Sequence, residues 1–326
     1  MKKITKKLAL GLLVMVTIFS AACSNEASNS QSDQITVGVV QYMDHVALDE
    51  ARKGFVDALA DNGYKDGENL AIDLQNAQGD QSNLSSISDR FVNNNVDLVL
   101  AIATPAAQAV AGKTTEIPIL ATAVTDYEAA RLVKSKDAPE GNVSGTTDMS
   151  PIKEQIDLLM KLAPDAKTVG VLYTSSEDNS ILQANMAKEA IEAAGLKYEE
   201  VTVSNSNEVQ QATQAIVDKC DAIYIPTDNV FASAMPVVNG IAGQSKTAVI
   251  TGETGMAMAG GLASLGINYY DLGYQTGLMG IKILKGEAEP ATMPIEPASK
   301  FNYVINGTTA EEIGTVIPDD LQEYVK

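Results

Sequence analysis

Short apolar runs alternate with amphipathic stretches from residue 35 to residue 305, and the alternation restarts midway. That grammar folds into parallel sheets covered by helices on both faces. The clearest strand is Val96–Ala103, VDLVLAIA, a continuous apolar run suited to burial on both sides of a sheet. Before it come strand Ile35–Val40, helix Ala47–Asp61 ending at Asn62-Gly63, strand Leu70–Leu74 and helix Leu84–Val92. After it, Thr104-Pro105 opens helix Ala106–Ala111, strand Ile117–Val124 follows, and Asn142–Thr146 reads as a crossover. The second round starts with Ser150-Pro151 capping a helix to Leu162, and strand Thr168–Tyr173, TVGVLY, repeats the ITVGVV theme. Helix Ser180–Ala194, strand Glu199–Val203, helix Glu208–Val217, strand Ala222–Ile225 and helix Val230–Ala242 continue it. Strands Ala248–Thr251 and Gly261–Ile267, helix Tyr269–Lys285 and strand Phe301–Ile305 complete it. Two such halves predict an α/β protein of two doubly wound parallel-sheet lobes.

The first residues give an address. Lys2, Lys3, Lys6 and Lys7 precede an uncharged, mostly apolar run from Leu8 to Ala22, too short for the ~20 residues of a spanning helix. Ser20, Ala21 and Ala22 lead into Cys23, and a polar, low-complexity tether follows to residue 34. The segment resembles a bacterial lipoprotein signal, with Ser20 standing where that family usually carries Leu. The resemblance implies removal of residues 1–22, a lipid on Cys23 and an extracytoplasmic chain anchored to the bacterial cell membrane. The remaining 304 residues exceed what one core usually holds, again favouring two lobes. Losing the signal's four lysines takes the formal charge from −19 to −23, a surface that repels nucleic acid. With Cys23 lipidated, Cys220 has no disulfide partner and reads as a buried, inert thiol.

Parallel sheets bind ligands beyond the carboxyl ends of their strands. Polar clusters stand at those places: Thr104-Pro105-Ala106; Thr122 with Thr125-Asp126; Thr174-Ser175-Ser176-Glu177-Asp178-Asn179-Ser180; Thr227-Asp228-Asn229; and Thr251-Gly252-Glu253-Thr254. Each alone is good helix-capping chemistry. Together they suggest a crevice in which helix N-termini hold a carboxylate and Asp228 or Glu253 holds an ammonium. Catalytic signatures are missing: His45 is the only His, which excludes a multi-His zinc site, and there is no G-x-S-x-G elbow. Ala107-x4-Gly112-Lys113-Thr114 falls one residue short of a P-loop and stands in a strong helix former. No enzyme activity, metal or cofactor is expected.

Six segments carry a wider resemblance: VGVVQYMDHVALDEARKGF (37–55), LVLAIATPAAQA (98–109), GTTDMSP (145–151), VGVLYTSSEDNS (169–180), IYIPTDN (223–229) and GLASLGINYYDLGYQTGLMGIKIL (261–284). They are similar to ABC-importer substrate-binding lipoproteins of the type I periplasmic-binding fold, within it the tryptophan/tyrosine group. The resemblance implies a monomer with two lobes joined by hinge strands, closing on one small ligand and docking on a membrane permease. It puts residues 33–147 plus 268–290 in the first lobe and 148–267 plus 291–326 in the second. By the same resemblance Thr104, the Ala106 amide and Thr122 hold a ligand carboxylate. Ser175, Ser176 and Asn179 form the matching helix start, and Asp228 with Asn229 meets the ammonium. Gln41, Tyr42 and His45 face the cleft. An aromatic ligand needs a slot, for which Phe231 and Tyr42 are first choices and Tyr127, Tyr269 and Tyr270 reserves; Phe55 and Phe91 fit a core better. Aromatic amino acids, tryptophan before tyrosine, are the expected ligands. A sugar, a branched amino acid, a nucleoside or a sensor role stays open.

Overall fold

The computed structural model describes residues 34–326. The signal, Cys23 and the tether as far as Asp33 lie outside the described residues. The first half supplies β1 (Ile35–Gln41), α1 (Val46–Asp61), β2 (Leu70–Asn76), α2 (Gln81–Asn93), β3 (Leu98–Ile102), α3 (Thr104–Ala111), β4 (Ile119–Val124) and β5 (Val143–Thr147). The chain then crosses into a second lobe with α4 (Ile152–Leu162), β6 (Thr168–Thr174), α5 (Asp178–Ala193), β7 (Lys197–Val203), α6 (Val209–Val217) and β8 (Ala222–Ile225). It continues through α7 (Asn229–Ser233), α8 (Met235–Ser245), β9 (Ala248–Thr251), α9 (Thr254–Met258) and β10 (Ala263–Gly266). Helix α10 (Tyr269–Leu284) and β11 (Glu296–Pro297) return to the first lobe; β12 (Asn302–Ile305) and α11 (Gly307–Ile313) close the second.

The two sheets have the orders β11-β5-β4-β3-β1-β2 and β12-β10-β9-β8-β6-β7. Every pairing is parallel except the antiparallel edge β10–β12. The two lobes thus repeat one topology, as the doubled α/β grammar requires.

Three details depart from the sequence reading. Asn142–Thr146 is mostly strand rather than crossover: β5 pairs with β4 through Ile119↔Val143, and the crossing follows it. Glu296 and Pro297 pair with Thr146 and Thr147, so this part of the 291–326 tail extends the first sheet, not the second. The helix expected over Val230–Ala242 is two helices, broken at Ala234, because Pro236 starts the second turn without an N–H to continue the first.

Strand alternation sorts the second-lobe core. Ala222 and Tyr224 face one helical layer with Leu159 and Ile250, while Ile223 and Ile225 face the other with Ile216 and Phe231. In the first lobe Phe55 and Phe91 are fully buried core residues. Cys220 is half-buried; its Sγ bonds Ile216 O at 3.1 Å, and burial pushes the thiol up to about 11, so it is unreactive. No helix among the described residues is long and apolar enough to cross a membrane.

Helix α10 is locked to α1 by glycines. A Cβ on Gly273 would sit 1.8 Å from Ala51 O, and one on Gly54 would sit 2.0 Å from Tyr270 O. Backbone meets backbone there, so nothing flexible can yield. Gly273→Ala should therefore lower the melting temperature, with an overpacking cost of about 1–3 kcal/mol. Gly240→Ala, in helix α8 with open space around the new methyl, should leave it unchanged or raise it.

Candidate ligand-binding site

In each sheet the strand order reverses once, between β1 and β3 and between β6 and β8. A crevice forms beyond the carboxyl ends of such strands. The loops after these four strands carry His45, Thr104, Glu177 and Asp228. Loops of the two lobes meet: His45 Nε2 lies 3.2 Å from Asn229 Oδ1, Gln183 Nε2 donates to Thr125 Oγ1 at 2.9 Å, and Gln108 Nε2 donates to Asp178 Oδ2 at 2.8 Å. They enclose a narrow cavity with little free space. Glu253 and Tyr269 also line a more open hollow of about 240 Å³ beside the start of α1.

The charge in this cavity is one-sided. Among the described residues the buried acids are Asp148, Glu177, Asp228 and Glu253, each 2 % exposed or less, and all four lie at the cleft; no Lys or Arg is buried. Three have their donors. Asp228 accepts from the Thr174 N–H (2.6 Å), the Thr174 hydroxyl (2.8 Å) and, as N-cap of α7, the Phe231 N–H (2.9 Å). Glu253 caps α9 by accepting from the Gly255 and Met256 N–H groups, and Asp148 accepts from the Thr125 and Tyr269 hydroxyls. Glu177 differs: the side-chain amides of Asn179 and Asn229 donate to its Oε2, while Oε1 is buried without a partner.

Burial raises all four carboxyl pKa values. For Glu177 the neighbouring Asp228 charge adds to burial. For Asp228 the Phe231, Ser180 and Thr174 donors oppose it. Glu253 is pushed up to about 7 by burial, against the pull of its two backbone donors.

The first lobe offers donors. Helix α3 starts at the end of β3, where Ala103 has φ 85°, a strained conformation for a residue with a side chain. The Ala107 N–H bonds Ala103 O and Pro105 has none, which leaves the Thr104 and Ala106 amides free of the helix ladder. Thr104 Oγ1 is buried with no partner. At the end of β4, Ala123 has φ 55° and lines the cavity with Thr125. Of the six buried side-chain polar atoms without a partner among the described residues, five belong to His45, Thr104, Glu177, Asn179 and Thr227, all at this crevice.

His45, Asn179, Thr227, Asp228, Asn229 and Glu253 line the cavity; Thr104, Pro105 and Ala106 form the buried first turn of α3 at the end of β3 and are not part of its wall. Tyr42 borders it: burial and then the Glu177 and Asp228 charges raise its phenol, whose OH points to Gly79 O at 3.4 Å. Other expectations fail for specific reasons. Thr122 points beneath the sheet and bonds Thr146 Oγ1 at 3.1 Å; Thr125 takes its place. Asp126 caps its own loop, accepting from the Glu128 and Ala129 N–H groups and Lys136. Ser175 and Ser176 turn to Val203 O and Ser204 O at the β7 edge. Phe231 is core, so it is not a slot, and Gln41 braces the β1–α1 loop through Met43 O, Asp49 and Arg52. Of the reserve tyrosines, Tyr269 lines the cavity. Tyr127 is tied inside the first lobe by Ala121 O and Thr146 O, and Tyr270 lies on the α10 surface with Asp57. Leu48, Ala123, Asp148 and Ala232 join the site without having been singled out, and Thr125 and Glu177, noted only within polar clusters, join it too. Among the described residues no group of three or more His, Cys, Asp or Glu is placed to hold a metal.

The family model for ABC transporter substrate binding proteins matches residues 36–326. A tyrosine-binding protein of Clostridioides difficile is 39% identical over 320 residues, covering 96% of this chain and 92% of that one. The crystal structure of an ABC domain in complex with L-Trp from Streptococcus pneumoniae overlays with a TM-score of 0.87 at 41% identity, covering 90% of this chain and all (100%) of that one. The ligand-free, open structure of a substrate-binding protein with adhesive properties from Clostridium difficile overlays at only 0.68 despite 44% identity, covering 90% of this chain and 98% of that one. Sequence divergence does not explain that gap; the lobes here are arranged as in the ligand-bound relative, in keeping with the bonds that cross the cleft. A family model spanning both lobes, and a relative matched over nearly its whole length, place this chain among the ABC transporter substrate-binding proteins, which capture a small molecule outside the cytoplasm.

Proposed function

We propose that this chain captures an aromatic amino acid, tryptophan or tyrosine, as a zwitterion and delivers it to an ABC permease. One observation carries the reading: a buried carboxylate oxygen, Glu177 Oε1, stands without a partner in a cavity of four acids and no buried cation. Burying a charge costs heavily unless it is paired. A ligand ammonium supplies the missing cation, with Glu177 as its direct partner and Asp228 reinforcing it. The ligand carboxylate goes to the other lobe, on Thr104 Oγ1 and the free amides of Thr104 and Ala106. Leu48, Ala123, Ala232 and the Tyr269 ring give the side chain its apolar wall. The names of the tyrosine-binding relative and of the L-Trp complex support the aromatic class.

Function here is capture without chemistry. Each lobe carries half of the site, so the ligand binds the closed arrangement better and shifts the population towards it. Cys23 carries a lipid that holds the monomer near its permease and raises the local concentration.

Calorimetry with L-tryptophan, L-tyrosine, leucine, a hexose and a nucleoside tests the reading. Heat with the aromatic amino acids alone is expected; binding of only the sugar or nucleoside overturns it. Glu177→Gln should weaken L-tryptophan binding by about 3–5 kcal/mol, the cost of leaving a buried charge unpaired. Ser176→Ala, at an exposed position, should leave the affinity unchanged.

The raised pKa values add a pH dependence. Carboxyls that hold protons more tightly folded than unfolded stabilise the fold at low pH and lose that contribution as pH rises through the folded value. The ligand-free protein should therefore melt at a lower temperature at pH 8 than at pH 5. Glu253→Gln should shrink the difference, since Glu253 titrates between its ordinary 4.5 and about 7. An ammonium ligand favours the ionised acids, so the rise in melting temperature it produces should be larger at pH 8. Scanning calorimetry with and without L-tryptophan reads all three.

A further inference from the structure

Two glutamines are fully buried in the second lobe. Gln155 is satisfied inside that lobe: its amide donates to Gly252 O (3.0 Å) and Leu265 O (2.7 Å), and its Oε1 accepts from Tyr224 (2.6 Å). Gln183 is satisfied only across the cleft. Its Oε1 accepts from the Thr227 N–H of its own lobe (3.3 Å), but its Nε2 donates to Thr125 Oγ1 of the first (2.9 Å). Thr125 can accept because its own proton goes to Asp148 Oδ1 (2.9 Å), and the Tyr269 hydroxyl meets Asp148 Oδ2 (2.8 Å). Asp148 begins the crossing from β5 to α4, and Tyr269 begins α10 just after the crossing back. The bonds run in one sense, from Gln183 through Thr125 to a carboxylate at the hinge. The other two cross-lobe bonds are less enclosed: Asp178 is exposed, and His45 is only half-buried.

We propose that Gln183 is a positioning residue for ligand capture: by donating to Thr125 it couples lobe closure to the hinge pair Asp148–Tyr269 and slows ligand release. When the lobes part, water can solvate the Gln183 amide. When they close, the amide is sealed in, and only Thr125 Oγ1 spares it an unpaired buried donor. The bond belongs to the closed form alone, so removing it raises the open fraction and weakens apparent affinity in proportion. Gln183 is absent from the cavity wall itself, so its effect passes through closure rather than ligand contact.

This rests on the ligand reading only for its probe. The chain contains no Trp, so the fluorescence of added L-tryptophan reports binding directly in stopped flow. Gln183→Leu is expected to speed dissociation about tenfold while association stays within twofold. Thr125→Val should do the same, and the Leu/Val double variant should be no faster than either single. Unchanged dissociation in Gln183→Leu, or effects that multiply in the double variant, overturns the proposal. A purely stabilising role would lower the melting temperature of the ligand-free protein without this non-additivity. If the wild type binds neither L-tryptophan nor L-tyrosine, the ligand reading fails. Small-angle scattering then decides the coupling: a larger radius of gyration for Gln183→Leu supports it, and equal curves overturn it.

Discussion

Four acidic side chains sealed between two lobes, with no Lys or Arg buried beside them among the described residues, govern this structure. Asp148, Glu177, Asp228 and Glu253 are buried at the cleft, and the ordinary way of making that tolerable, an adjacent Lys or Arg, is missing. The fold compensates with donors. Hydroxyls and backbone amides satisfy Asp148, Asp228 and Glu253, asparagine side chains reach only Glu177 Oε2, and Glu177 Oε1 is left over. In the proposed reading the ligand ammonium is the complement.

The twin sheets make that arrangement possible. The same strand order in both lobes puts two reversal points face to face, so helix starts and strand ends of opposite lobes converge on one small volume. The first lobe contributes α3 with the free amides of Thr104 and Ala106; the second contributes its acids on α5, α7 and α9. Neither half can hold a zwitterion at both ends. Closure is therefore part of recognition, and bonds such as that of His45 to Asn229 exist only while both halves are together.

Much of this was legible in the sequence because strand and helix periods are strong signals. The doubled α/β order, the lobe count and the polar clusters at strand ends all follow from local pattern. Side-chain direction at the last residues of a strand does not. Thr122 and Thr125 look equivalent in sequence, but Thr122 faces the buried layer under α10, and the left-handed Ala123 breaks the alternation before Thr125. Phe231 is two residues from Asn229, but helical geometry turns it into the core while Asn229 and Ala232 face the cavity. Glu177 was obscured by the serines before it; the signal was its place directly ahead of α5, where Glu is an unusual choice of cap. The return of Glu296 and Pro297 to the first sheet leaves almost no mark, because two residues are too few to show a period.

The threefold crossing of the chain between lobes has a consequence for how the protein is made. The first sheet is interrupted after Thr147, and its lobe lacks α10 and β11 until the chain has been extended to Pro297. The glycine-mediated seat on α1 stays empty over that interval, exposing Ala51, Phe55 and their apolar neighbours. The second lobe waits longer still, because β12 and α11 bring Ile305, Ala310 and Ile313 to its core. Vectorial emergence from a ribosome or an export channel therefore leaves each sheet short of an edge strand until nearly the whole chain is out. The lobe that begins the sequence finishes its core only with α10, Met293 and Ile295, so the N-terminal region depends on late-arriving chain to escape proteolysis and aggregation.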